Sequence, residues 1–473
     1  MILGNIRFNG GIATSIKEGG KGSFRFGRNL NIFDEPSEVT LNPKTAKVSG
    51  STVVDLVKWI VSGVPNDTNY YFYDEGGNIY KQTSALSWSN LRTVASSNGQ
   101  GLELHDDYIY YTQNTQIGRY GPLSGVPAFT DNWQTGLNDT STTKFAPIKA
   151  FKEGFAVGHG NNLGWWDGTV WQGTRLTLPE GYAIRCLEVI DEYLVMGAWK
   201  GTDIHDSEEG IILFWDGTAT TFNEFKQLPE GGFNAILNSR NRLFSIAGSS
   251  GYLYLNYNPF LKIHRIPKIP INKIIEVYPG AITNWKGLVH FGISSTDSST
   301  AEHGVYQWGS GSDAYPEALN CGYTISTGTT TGTTVQIGAI KGIGDELYIG
   351  WRDGASYGVD RVVQTADPFA TGYIESLIFD NKNPFKDKHN PVLVASHKAL
   401  ATNETITLGH KVNRVSSFTN DTANGTDDSR RTRLNVNSQF EEIEFRAQLD
   451  GTTTSPTLTG LALEFKDDER ELV

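Results

Sequence analysis

The sequence predicts an all-β protein, and three observations carry that prediction. Apolar residues make up 38% of the chain and charged ones 19%, with 52 glycines and only 2 methionines. That balance is poor in helix-forming side chains and rich in turn residues. Aromatic residues are frequent (11 Trp, 20 Tyr, 23 Phe), as expected where pleated surfaces pack face to face. The third observation is a repeat. Gly154–Gly168 reads as a small, apolar strand (Gly-Phe-Ala-Val-Gly), a polar turn, and a second strand ending in Trp-Trp-Asp-Gly. The same pattern recurs at Tyr193–Gly217, and looser versions lie at Leu243–Tyr257, Leu288–Gly309 and Leu347–Val359. Strand–turn–strand units recurring at such intervals are the mark of a radial repeat. The expected architecture is a β-propeller of about seven blades, six or eight being possible, followed by a C-terminal β-sandwich.

In chain order, residues 1–50 alternate short apolar strands with Gly and Asn turns. They are expected to complete the last blade and close the ring. Val53–Val61 fits a short helix and a buried strand equally well. From Tyr70 the repeat begins, with strands launched at Tyr71, Tyr108, Phe155, Tyr193, Leu243, Leu288 and Leu347, spaced about 46 residues apart on average. Blades of four strands need about 40–50 residues, so the spacing fits. A single such sheet is apolar on both faces. Arranging the sheets round an axis buries both faces and leaves only short edges.

Composition shifts near Thr365–Gly372, which divides the chain into a propeller over residues 1–368 and a sandwich over 369–473. In the second part, Gly372–Asp380, Pro391–Leu400, Thr405–Val412, Thr432–Asn437, Phe440–Leu449 and Leu458–Phe465 read as alternating strands bounded by turn residues. Asn420–Arg431 reads as a polar hairpin tip, and Lys466–Glu471 as a solvated charged run.

The formal net charge of −12 argues against a general nucleic-acid or anionic-membrane binder. It leaves open an acidic passage along which DNA slides without sticking. Cys186 and Cys321 stand far apart and in no metal-type spacing, so a buried, inert pair is expected rather than a disulfide. No signal peptide and no long apolar run are visible, and the five Asn-x-Ser/Thr sequons read as turns.

Candidate chemistry is sparse. In the aromatic–Asp–Gly corners Asp precedes Gly directly, which suits a turn in which Asp caps its own backbone and Gly takes a positive φ. The acidic run Asp203–Glu209 lacks the alternating ligands and central Gly of a cation loop. Asn420–Asp428 comes closer, yet a solvated turn explains it. The nine histidines show no ligand spacing, and there is no nucleophile elbow and no phosphate-cradling glycine loop. No catalytic, cofactor-binding or metal residues are assigned, and no cofactor is expected.

A family becomes recognisable at the two ends. Gly372–Asp380 followed by Pro384–Lys388, then Phe440–Leu449 and Ser455–Phe465, resemble the closing strands of tailed-bacteriophage virion proteins that carry an upstream propeller. Asn9–Asp34 is similar to the start of such tail nozzle-type or minor tail proteins. The resemblance implies a non-enzymatic structural protein of the tail, adaptor or tail tip, assembled in the bacterial host cytoplasm. It further implies contacts with other tail proteins and a homo-oligomer round the tail axis, flanking the DNA exit path, with neither sequence-specific nucleic-acid binding nor membrane insertion. The alternative is a carbohydrate-binding or glycan-cleaving propeller of a receptor-recognition protein, in which Trp165, Trp199 or Trp351 would stack on sugar faces; core packing between blades is the competing role for these tryptophans.

Overall fold

The structure, a computed structural model, describes residues 2–5, 8–48, 50–83, 86–93, 99–138, 145–201, 209–228, 230–248, 252–255, 261–264, 275–295, 302–327, 334–382, 385, 387–422, 424 and 430–467. Every regular element in it is a strand. Seven antiparallel sheets form the propeller. Their innermost strands are Val57–Ser62, Gly99–His105, Ile148–Phe151, Tyr182–Ile190, Phe233–Ser239, Ile282–Trp285 and Val335–Ile343. Each touches the next, and the seventh touches the first, so the ring is closed. The stretch from Val53 is thereby settled as a strand beginning at Val57.

All seven launch residues fall in the second strand of a blade, from Tyr71 in Tyr70–Asp74 to Leu347 in Glu346–Asp353. These strands show little alternation because both faces are covered: Gly154–His159 and Leu288–Ser295 are buried throughout. The small residues noted in the repeat have a packing role. A Cβ on Gly158 would lie 2.4 Å from Ile184, on Gly197 2.4 Å from Phe233, and on Gly292 2.3 Å from Ile337. In each case the neighbour belongs to the inner strand of the following blade, so glycine lets a large side chain of one blade seat in the next. The turn between first and second strands also repeats, with Asp106, Lys152, Asp191, Arg240 and Lys286 all at φ between +49° and +51°.

Blades one to five are each built from one continuous stretch of chain. Blade seven takes its fourth strand from the N-terminal region, Ala46–Lys47 pairing with Arg361 and Asp360 of Ser356–Val363. Blade six is extended. Beyond its outer strand Ala318–Tyr323 lies Phe26–Arg28 in parallel, then Thr371–Glu375, Ile443–Asp450 and Thr405–Val412, in one unbroken sheet. A second sheet, Ile2–Asn5, Leu458–Asp467, Lys388–His397 and Arg431–Asn435, completes the C-terminal layer pair. Ile374, Leu408 and Ala447 of one sheet and Leu393 and Leu463 of the other share a core that runs on into Phe291 and Trp308 of blade six.

Strand pairing therefore crosses the expected division at residue 368. Ile2–Asn5 and Phe26–Arg28 lie in the sandwich sheets, whereas Ala46–Lys47 lies in the propeller. Edge pairing, not sequence order, decides where these short strands go. Residues 203–208 of the acidic run, 423 and 425–429 of the polar hairpin tip, and 468–471 of the charged tail lie outside the described residues.

Candidate functional site

The aromatic–Asp–Gly corners are turns. Asp167 Oδ1 accepts from the backbone N–H of Thr169 (2.8 Å) and of Val170 (2.7 Å). Asp216 Oδ1 accepts from the N–H of Thr218 (2.8 Å) and Ala219 (2.9 Å), while Gly168 and Gly217 stand at φ +94° and +83°. The N–H donors hold both carboxyls below the usual carboxylate range. Trp165, Trp199 and Trp351 are buried, and Trp351 Nε1 donates to Asp360 Oδ1 at 2.7 Å. None offers an exposed ring face. Cys186 and Cys321 are free and buried, and burial pushes their thiols up to about 12 and about 11. Among the described residues no three His, Cys, Asp or Glu side chains gather at metal-binding distance.

Two polar hollows among the described residues bear on function. The first is the propeller axis, where seven inner strands converge and side chains from different blades meet. Near their starts, Lys58 Nζ donates to Glu75 Oε1 (2.9 Å) and Arg185 Nη2 to Glu276 Oε1 (2.6 Å). Both cations pack on the Phe145 ring, at 4.9 Å and 4.3 Å from its centroid. Further along, Glu103, Lys149, Glu188 and Lys341 line a cavity of about 140 Å³. Lys149 Nζ lies 2.8 Å from Glu188 Oε1. Burial works against the Lys149 ammonium, but Glu188 and Glu103 outweigh it and keep its pKa above the ordinary lysine value. Burial raises Glu103. Among the described residues, the positive and negative groups named here balance, so the axis is lined by matched charges.

The second hollow, about 430 Å³, lies beside blade six and is bounded by the end of blade seven, the first turn of blade five, and N-terminal residues Asn31–Asp34 and Asn42. Its floor is polar yet buried. Gln307 Nε2 donates to His290 Nε2 (3.2 Å), and His290 Nδ1 faces Leu288 O at 3.3 Å. Asn42 Nδ2 donates to Leu30 O (2.8 Å), Gly322 O (3.0 Å) and Gln307 Oε1 (3.4 Å). Burial holds His290 down at about 4, so it is a neutral imidazole at neutral pH. Asp34, Arg240, Lys286 and Gln364 form an exposed rim.

No family model matches the chain, and no curated protein matches it. Among solved structures it is similar to the extracellular domain of a hybrid two component system from B. thetaiotaomicron, at 11% identity and a TM-score of 0.47, covering 76% of this chain and 44% of that one. It is also similar to the Neurospora crassa Pan2 WD40 domain, at 10% identity and a TM-score of 0.42, covering 69% of this chain and 98% of that one. The chain thus spans less than half the length of the first. Neither likeness bears on chemistry, and the propeller assignment rests on strand pairing.

Sequence reasoning found neither hollow. Asn42 and Gln307 are 265 residues apart, and the axial side chains sit singly in four blades. The one available signal was charged residues inside a largely apolar inner strand, as with Arg185 and Glu188 in Tyr182–Ile190.

Proposed function

We propose that the chain is a structural component of a tailed-phage virion, placed in the tail, adaptor or tail tip and acting through protein–protein contacts rather than catalysis. The supporting observation is the sheet that runs unbroken from blade six through Phe26–Arg28 into the C-terminal layers, which makes two lobes one stiff body. A contact protein of this kind works by shape, and its loops and lobe surfaces meet neighbouring tail proteins. Copies set round the tail axis would turn an acidic surface, of net charge −12, towards a DNA path that must not hold its cargo. No helix among the described residues is long and apolar enough to cross a membrane.

Purified phage particles analysed by mass spectrometry, with light scattering on the purified chain, test the reading. The chain is expected in the particle at a fixed ratio to other tail proteins and as an oligomer on assembly. A monomer absent from particles overturns it. A glycan-binding role loses its expected stacking residues, since Trp165, Trp199 and Trp351 are buried; the polar recess beside blade six is the feature that favours it.

A further inference from the structure

We propose that the recess beside blade six is a saccharide-binding site, taking one or two sugar units through their hydroxyl groups. At about 430 Å³ it falls within the ~300–1,000 Å³ range of small-molecule sites. Its chemistry is the stronger argument. A sugar hydroxyl both donates and accepts, so a site for vicinal hydroxyls needs amides and mixed charges converging from several directions. Here Gln364 supplies an amide, Asp34 a carboxylate, and Arg240 and Lys286 cations, above a floor in which Asn31 and Gln307 are held by their protein partners.

The floor is built in advance of any ligand. Gln307, 4% exposed, is fixed between His290 and Asn42, so its amide has one orientation. The rim keeps spare capacity. Asp34 lines the recess, and its Oδ2 accepts from Asn31 Nδ2 at 2.6 Å. Arg240 donates to Gly287 O through Nη2 alone (2.9 Å), and Lys286 reaches Asp345 (3.2 Å) and the Gln364 side chain.

Other occupants fit less well. An apolar tail would strip these polar groups of water without replacing their hydrogen bonds. A nucleobase needs an open aromatic face, but Trp285, Tyr323 and Phe33 are only 6%, 3% and 8% exposed. The inference goes beyond the tail-contact reading and does not depend on it, because a particle component without a sugar site would still appear in particles.

The test uses the full chain on an array of bacterial polysaccharide fragments, with saturation-transfer NMR against glucose, galactose and glucuronic acid. Binding is expected, and Asp34→Ala with Gln364→Ala should weaken it about tenfold or more at an unchanged melting temperature. Phe225→Ser, on the outer strand of blade four, should leave it unaltered. A preference for glucuronic acid over glucose would support contact through Lys286 and Arg240. No saccharide signal from the folded chain, undiminished binding in the rim double variant, or nucleosides bound in place of sugars overturns the proposal. So does loss of particle incorporation by the rim variant without any sugar binding, which would assign the recess to a neighbouring protein.

Discussion

In blades one to four the outermost strand, such as Ala128–Thr135, is mostly half-buried or exposed, whereas its counterpart in blade six, Ala318–Tyr323, is buried along its whole length. Both are the last strand of a four-stranded sheet, and both would present a row of unpaired N–H and C=O groups. Blades one to four turn that edge to water, while blade six pairs it with Phe26–Arg28. The difference teaches that a blade edge is an attachment point by default. What decides whether it is used is a short strand from elsewhere in the chain. Here the first fifty residues supply such strands twice, once to extend blade six and once to complete blade seven.

Removing residues 1–50 is the most severe way to break this contrast. The shortened chain is expected to lose its cooperative thermal transition and to aggregate, because blade seven loses its fourth strand and blade six its bridge. A monodisperse chain with an intact transition would show that the two strands are ornaments.

A pair of point variants sharpens the same comparison. Phe26 is fully buried in the bridging strand, so Phe26→Ala should cost about 3–5 kcal/mol in chemical denaturation. Phe225, 59% exposed on the outer strand of blade four, should tolerate Ser within about 0.5 kcal/mol. Equal costs would mean the two edges are energetically alike.

Protonation offers a third, smaller probe of the blade-six region. His290 is held at about 4, below the ~6.5 of an unfolded histidine. The unfolded chain therefore takes up a proton before the folded one. The contribution of His290 is complete above about pH 6.5 and is lost as pH falls towards 4, by about 1.4 kcal/mol at pH 5.5. Buried carboxylates with raised pKa values, such as Asp74 and Asp360, act in the opposite sense. The measurement is accordingly the stability of the native chain minus that of His290→Gln across pH 7.5–5. A pH-independent difference would refute the assignment.

The smallest expected effect lies in the unmodified blades. Asp191 holds φ +51° in the turn that opens the second strand of blade four. Asp191→Gly relieves a left-handed conformation but loosens the unfolded chain, so denaturation should shift by no more than about 1 kcal/mol. A large loss would mean the Asp191 side chain has a role beyond the turn.

What could be read along the chain is what local physics controls. Strand–turn–strand units at a steady interval, second strands built from small and apolar residues, and Asp-Gly corners were all legible because each depends on neighbours a few residues away. The C-terminal strands were legible for the same reason, Thr405–Val412 to the residue. Which sheet edge captures Phe26–Arg28, where Ala46–Lys47 closes the ring, and which side chains meet in the axis and in the recess emerge only in the folded chain. Those choices join residues hundreds of positions apart, as Arg28 joins Cys321 and Asn42 joins Gln307. A free edge or an empty corner accepts any strand or amide of suitable shape, so local pattern cannot specify the partner; the closed ring, by placing the edges, does.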